Sequence, residues 1–165
     1  MLPPKVIMSP IDFSEPSSDA LKEATELAVC FKSELLLVNI VPAIPKLPSP
    51  GLLFSEREYE EALHKNAVDK LDAMIRTIGQ RGVTARSAVG TANDVSGELL
   101  RIAEHNAVDL IVIATHGISG WRRLAFGSVA EKVVRLASCP VLLLRAQQAN
   151  EQTSQVKGEA KAVAQ

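Results

Sequence analysis

The chain has 165 residues, 47% of them apolar and 22% charged, with a formal net charge of -1 and a pI near 6.3. That is one domain's length, enough to bury roughly 70% of the surface its unfolded chain exposes. The near-balanced charge excludes an overall basic field for gripping a nucleic-acid backbone, and no run approaches the ~20 apolar residues of a membrane helix.

The N-terminal stretch MLPPKVIMSPIDFS enters a short strand pattern at once, without the charged start and apolar core of a secretory leader. A soluble cytoplasmic protein is therefore expected, with neither nucleic acid nor membrane as a partner. After that strand, DALKEATELAVCF places Leu21, Ala24, Leu27, Ala28 and Phe31 on one helical face. ELLLVNIV is a near-continuous apolar run of strand length, which in a parallel sheet means cover on both faces. The proline-studded PAIPKLPSPG reads as a loop.

From Ser55 the pattern turns helical, with Ser55 and Glu58 as a capping box and Tyr59, Leu63, Ala67, Leu71, Met74 and Ile78 as a stripe ended by Gly79 and Gly82. VTARSAVG alternates and reads as a half-covered strand at a sheet edge. In TANDVSGELLRIAEHN, Asn93 or Asp94 caps a helix whose stripe is Val95, Leu99, Ile102 and Ala103. VDLIVIAT is the most apolar strand signal and implies a central position; SVAEKVVRLA is a further helix, and PVLLLR a last strand opened by Pro140. The segment from about Gln147 is polar and aperiodic, so a domain of residues 1–146 and a loose tail of 147–165 are expected.

Five strands alternating with four helices imply right-handed crossovers and a parallel sheet covered on both faces. Ligands of such sheets bind beyond the carboxyl ends of the strands, where strand order reverses. No Walker A loop and no GxGxxG fingerprint is present, and GxSxG is absent. The third strand ends in AVGTAN, without the carboxylate of a phosphoacceptor site. Cys30 and Cys139 lie in neither a CxxC pair nor a zinc spacing and read as buried small hydrophobes. His64 and His105 read as surface residues, whereas His116 lies in a turn at a strand end.

The chemistry concentrates in ATHGISGWRRLAFGSVAEKV, Ala114 to Val133. Ser128 with Glu131 reads as a second capping box, so the first-turn amides of that helix face the carboxyl edge of the sheet and Gly127 admits a phosphate. Thr115, His116, Gly117 and Gly120 follow the strongest strand; if residues 118–126 fold over, two sets of amides converge into a nest for phosphates. Arg122 and Arg123 either screen a polyphosphate or are solvated loop charge, and Trp121 either closes the loop or meets a partner. Asp12, at the end of the first strand, either accepts ribose hydroxyls or holds a metal, or caps the next helix with Ser14. The backbone at Asn39 to Val41 is placed to read an adenine edge.

With PIDFSE and SCPVLLLR, these residues resemble the universal stress protein family from Val6 to Arg145. The family signature, Gly, two residues, Gly, nine residues, Gly, then Ser or Thr, reads here as Ala114, Gly117, Gly127 and Ser128. The resemblance implies an α/β fold of the Rossmann-like, adenine nucleotide alpha hydrolase-like type: an open parallel five-stranded sheet in the order 3-2-1-4-5 with helices on both faces. It implies a stress-response protein that binds ATP or another adenine nucleotide, ADP or AMP, with Mg2+ or Mn2+ as an optional companion. Contact residues carried over are Pro10, Asp12, Ile40, Ala114, Thr115, His116, Gly117, Gly120, Gly127, Ser128 and Val129. It also implies a homodimer through the last strand, Val141–Arg145, with no catalytic residue, slow ATP hydrolysis being left open. Two departures, Ala114 for the first glycine and Ile118 where many binders carry Arg or Lys, motivate the other reading, a dimeric interaction module of the same fold without nucleotide.

Overall fold

The computed structural model describes residues 3–43, 56–115 and 127–145. Its elements run β1 (Val6–Pro10), α1 (Glu15–Phe31), β2 (Glu34–Val41), α2 (Glu56–Gly79), β3 (Ala85–Thr91), α3 (Val95–His105), β4 (Leu110–Ala114), α4 (Ser128–Leu136) and β5 (Val141–Leu144). The five strands form one parallel sheet in the order β3-β2-β1-β4-β5, as the alternation and the family resemblance imply.

Side-chain alternation along the strands sorts the core into two layers. Ile7, Leu35, Leu37 and Val112 meet Leu21, Ala24 and Ala28 of α1 and Leu71 and Ile78 of α2 on one face. Met8, Leu36, Val38, Ile111 and Ile113 meet Leu99, Ile102 and Ala103 of α3 and Ala130 and Val133 of α4 on the other. Register is pinned by pairs such as Ile7 with Leu35 and Met8 with both Leu36 and Ile111. Asp109 fixes the start of β1 by accepting the amide protons of Lys5 and Val6 at 2.8 and 3.0 Å.

Local chemistry sets the helix ends. Ser14 caps α1 and accepts from Ser17 N–H at 3.3 Å, with Pro16 inside the first turn where a missing amide proton does no harm. Asp94, of the two candidates, caps α3, and its side chain accepts from Gly97 N–H at 3.1 Å. Gly82 takes a left-handed φ of 77° in the turn after α2, which only glycine adopts without strain.

Four readings of the sequence need correction. Phe31 and Tyr59 are 42% and 57% exposed rather than part of buried stripes. Phe31 is the last residue of α1, and Tyr59 lies in the first turn of α2, ahead of Ala67, its first buried residue among those described. Cys30 is exposed because it lies about 200° round α1 from buried Ala28; Cys139 is only half-buried, and that burial pushes its thiol pKa up. β4 is interior but not central, since β1 holds the middle of the sheet. Finally, β3 is the half-covered edge strand expected, but it has no buried alternate face, because Ala85 and Val89 pack toward one layer of the core and Ala88 toward the other, each only partly buried. Ser55 of the first capping box, and the tail of 147–165, lie outside the described residues.

Leu71 is fully buried where α2 meets the sheet. Leu71→Ala is expected to lower unfolding free energy by about 2–5 kcal/mol, whereas Tyr59→Ala changes it by about 0.5 kcal/mol or less; urea denaturation followed by circular dichroism distinguishes the two.

Candidate functional site

Strand order reverses at β1, which pairs with β2 on one side and β4 on the other, while α1 and α3–α4 cover opposite faces. That arrangement splays the chain segments leaving β1 and β4 and opens a crevice at the carboxyl edge. A cavity of about 360 Å³ occupies it. Its floor is the ends of the strands, Pro10 to Asp12, Val38 and Ile40, and Ile113 to Thr115. One wall is the first turns of α3, through Val95 and Leu99, and the other is Gly127 to Ala130 at the start of α4.

The helix start is held to the strand end by one residue. Thr115 donates its amide proton to the Leu144 carbonyl at 2.8 Å, and its carbonyl accepts from Gly127 N–H at 2.7 Å. Chain that leaves β4 at Thr115 therefore returns to it at Gly127. Helical bonding begins with Glu131 N–H to the Gly127 carbonyl at 2.9 Å, so the amides of Ser128, Val129 and Ala130 have no partner within the helix. These residues line the cavity, and the positive end of the helix is aimed at it.

The expected capping box is absent. Ser128 is itself the first helical residue, one position too late to cap, and extended Gly127 (φ -59°, ψ 143°) takes the cap position with no side-chain bond to the helix. A capping oxygen would have occupied one of those amides; glycine leaves them open to a ligand.

On the β1 side, Asp12 Oδ1 accepts from both Ser14 N–H at 3.0 Å and Ser14 Oγ–H at 2.5 Å. The two readings of Asp12 are thus joined: it lines the cavity and also steadies the cap of α1. Buried Asn39 donates from Nδ2 to the Ile11 carbonyl at 2.7 Å, and Ile11 N–H donates to the Val38 carbonyl at 2.7 Å, tying the ends of β1 and β2 together. Across the cavity's far flank, Asp94 accepts a hydrogen bond from Lys132 Nζ at 2.7 Å, which joins α3 to α4. The Lys132 bond, followed by the Gly97 amide, holds the Asp94 carboxyl below its ordinary pKa.

Eight of the sequence-derived contact residues, Pro10, Asp12, Ile40, Ala114, Thr115, Gly127, Ser128 and Val129, come together around this cavity. His116, Gly117 and Gly120, like Ile118, Trp121, Arg122 and Arg123, lie outside the described residues. Sequence reasoning missed Ser17, Val95, Leu99 and the Asn39 side chain. Val95 and Leu99 carried a signal, but as an apolar helix stripe they were assigned to the core; nothing in the spacing marked Asn39 as a tie between strands. Among the described residues no group of three or more His, Cys, Asp or Glu is placed to hold a metal, and no helix is long and apolar enough to cross a membrane.

Residues 4–145 match the model of the universal stress protein family. The chain is 35% identical over 145 residues to "Universal stress protein MJ0531" of Methanocaldococcus jannaschii, covering 86% of this chain and 82% of that one. In three dimensions it is similar to the universal stress protein UspA from Lactobacillus plantarum, with a TM-score of 0.74 at 23% identity over 86% of this chain and 97% of the other. It is also similar to a universal stress protein from Archaeoglobus fulgidus in complex with dAMP, with a TM-score of 0.58 at 20% identity over 87% and 98% of the two chains.

The correction at α4 has a measurable consequence. Ser14→Ala removes a working cap and is expected to cost about 1 kcal/mol, whereas Ser128→Ala removes none and changes stability by about 0.5 kcal/mol or less. Equal losses in thermal denaturation would restore the capping box.

Proposed function

The chain belongs to the universal stress protein family, and we propose that it is a regulatory, nucleotide-sensing member whose crevice takes ATP or another adenine nucleotide. The observation that carries the reading is the convergence of open α4 amides, a carboxylate and apolar strand ends on one cavity of about 360 Å³, within the usual range for small-molecule sites, about 300–1,000 Å³.

Each wall suits one part of the ligand. Ile40, Val38, Val95 and Leu99 offer apolar surface for a base. Asp12, the one carboxylate among the described lining residues, is an acceptor for ribose hydroxyls. The amides of Ser128, Val129 and Ala130 suit phosphate oxygens, as a helix N-terminus does; His116, Gly117 and Gly120 complete the proposed contact set with Pro10, Ala114, Thr115 and Gly127. Mg2+ or Mn2+ would arrive with the nucleotide, held by its phosphates and water, rather than occupy a protein cage. The dAMP complex of the Archaeoglobus relative supports an adenine ligand.

The proposed unit is a homodimer joined through Val141–Arg145. β5 is a four-residue edge strand with Leu142 37% exposed, and an uncovered edge of this kind invites pairing. The functional domain is taken as residues 1–146, with 147–165 a tail, as the polar, aperiodic sequence from about Gln147 implies. A second reading, an interaction module without nucleotide, is favoured by Ala114, whose methyl replaces a glycine on the cavity wall.

Calorimetric titration of the full chain with ATP and Mg2+ separates them. The nucleotide reading predicts saturable heat, lost in Gly127→Val because a branched side chain at the helix start blocks the amides, with the circular dichroism spectrum unchanged. No heat at millimolar ATP would establish the module without nucleotide instead.

A further inference from the structure

Phe13 carries a left-handed backbone, φ 63°, between Asp12 and the helix cap Ser14. A bulky aromatic residue rarely adopts that conformation, and such strain persists only where the surroundings over-determine it. Here two things do. The ring packs, partly buried, against the core cluster of α1, α2 and the sheet, and Lys70 of α2 sets its Nζ 4.8 Å from the ring centroid, within cation–π range. The turn at Phe13 brings the Asp12 carboxylate round to Ser14, whose amide and hydroxyl protons both go to Oδ1. Ser14 Oγ in turn accepts from Ser17 N–H. A line of contacts therefore runs from α2, outside the cavity, through Lys70 and Phe13 to the carboxylate on the cavity wall.

We propose that Phe13, clamped beneath Lys70, is the positioning residue that sets the Asp12 carboxylate at the crevice, and through it the preference of the site for a ligand with ribose hydroxyls. The selectivity part rests on the nucleotide reading above; the positioning part does not. Phe13 and Lys70 act without touching the ligand: neither is among the described residues that line the cavity. Glycine at position 13 would adopt the same φ freely but would lose the ring and its clamp. Lys70→Met keeps most of the side-chain bulk on the exposed side of α2 and removes the charge, so it tests the clamp with the ring and the turn left in place.

Amide exchange at Ser14, read by NMR on the full chain without ligand, tests positioning directly. Lys70→Met should speed Ser14 exchange about threefold, the worth of an exposed cation–π contact, and Phe13→Gly should speed it more. Calorimetry with ATP and with 2′,3′-dideoxy-ATP tests selectivity: Lys70→Met should shrink the wild-type preference for ATP by about the same factor, leaving affinity for the dideoxy compound unchanged. Unaltered Ser14 exchange in both variants, or equal weakening of both nucleotides, would overturn the proposal. A wild-type chain that binds neither nucleotide would sink the nucleotide reading and the selectivity with it, while Ser14 exchange would still decide whether Phe13 positions Asp12.

Discussion

Both backbone groups of Thr115 are committed, one to each neighbour that shapes the crevice. Its amide proton extends the β4–β5 ladder to Leu144, and its carbonyl receives the amide of Gly127. The second bond brings Gly127, at the start of α4, against the end of β4. With Thr115 buried, each of these bonds acts less through its net contribution, about 1 kcal/mol, than through the cost of leaving the Thr115 group unmade. The orientation of α4, and with it the aim of its open amides, follows from that pair and from the burial of Ala130 and Val133 against the sheet.

The rest of the site depends on strand order. With β1 in the middle, alternate residues of one short strand serve opposite layers: Ile7 goes to the α1 and α2 face, Met8 to the α3 and α4 face. The helices α1 and α4 then lie on different faces, and the gap at the strand ends is lined mostly by apolar side chains with Asp12 among them. Asn39 stiffens it by tying Ile11 to β2, while Asp109 anchors the start of β1 beside β4 at the opposite, amino edge of the sheet. The Asp94 to Lys132 pair closes the outer side between α3 and α4. Exposed as it is, that pair adds little stability; the packing of Leu99, Ile102, Ala130 and Val133 on the sheet holds the two helices.

Much of this was legible in the residues. Runs such as ELLLVNIV and LIVIA have the length and apolarity of doubly covered strands, and all nine elements fall where periodicity and punctuation put them. The strand order came from resemblance, since periodicity cannot say which strand lies beside which. The site was legible where glycine, a carboxylate or a strand end marked it. It was not legible at Val95 and Leu99, because an apolar side chain facing a cavity and one facing a core look alike in sequence. The Ser128 capping box failed for a different reason: the S-x-x-E spacing fixes two residues relative to each other, but only the backbone decides which of Gly127 and Ser128 stands outside the helix. Phe13 gave no signal either, as a left-handed φ at an aromatic residue contradicts its intrinsic preference.

Under the proposed function, the crevice at the carboxyl ends of β1, β2 and β4 takes an adenine nucleotide with its phosphates on the open amides of α4. Backbone amide chemical shifts recorded while ATP is added to the full chain test it most directly. The largest changes are expected at Asp12, Ile40 and Thr115 and at Ser128, Val129 and Ala130, with the outer face of α2 from Ala62 to Ala73 unchanged. Shifts centred on that α2 face, or none at Ser128 to Ala130 under saturating ATP, would contradict it.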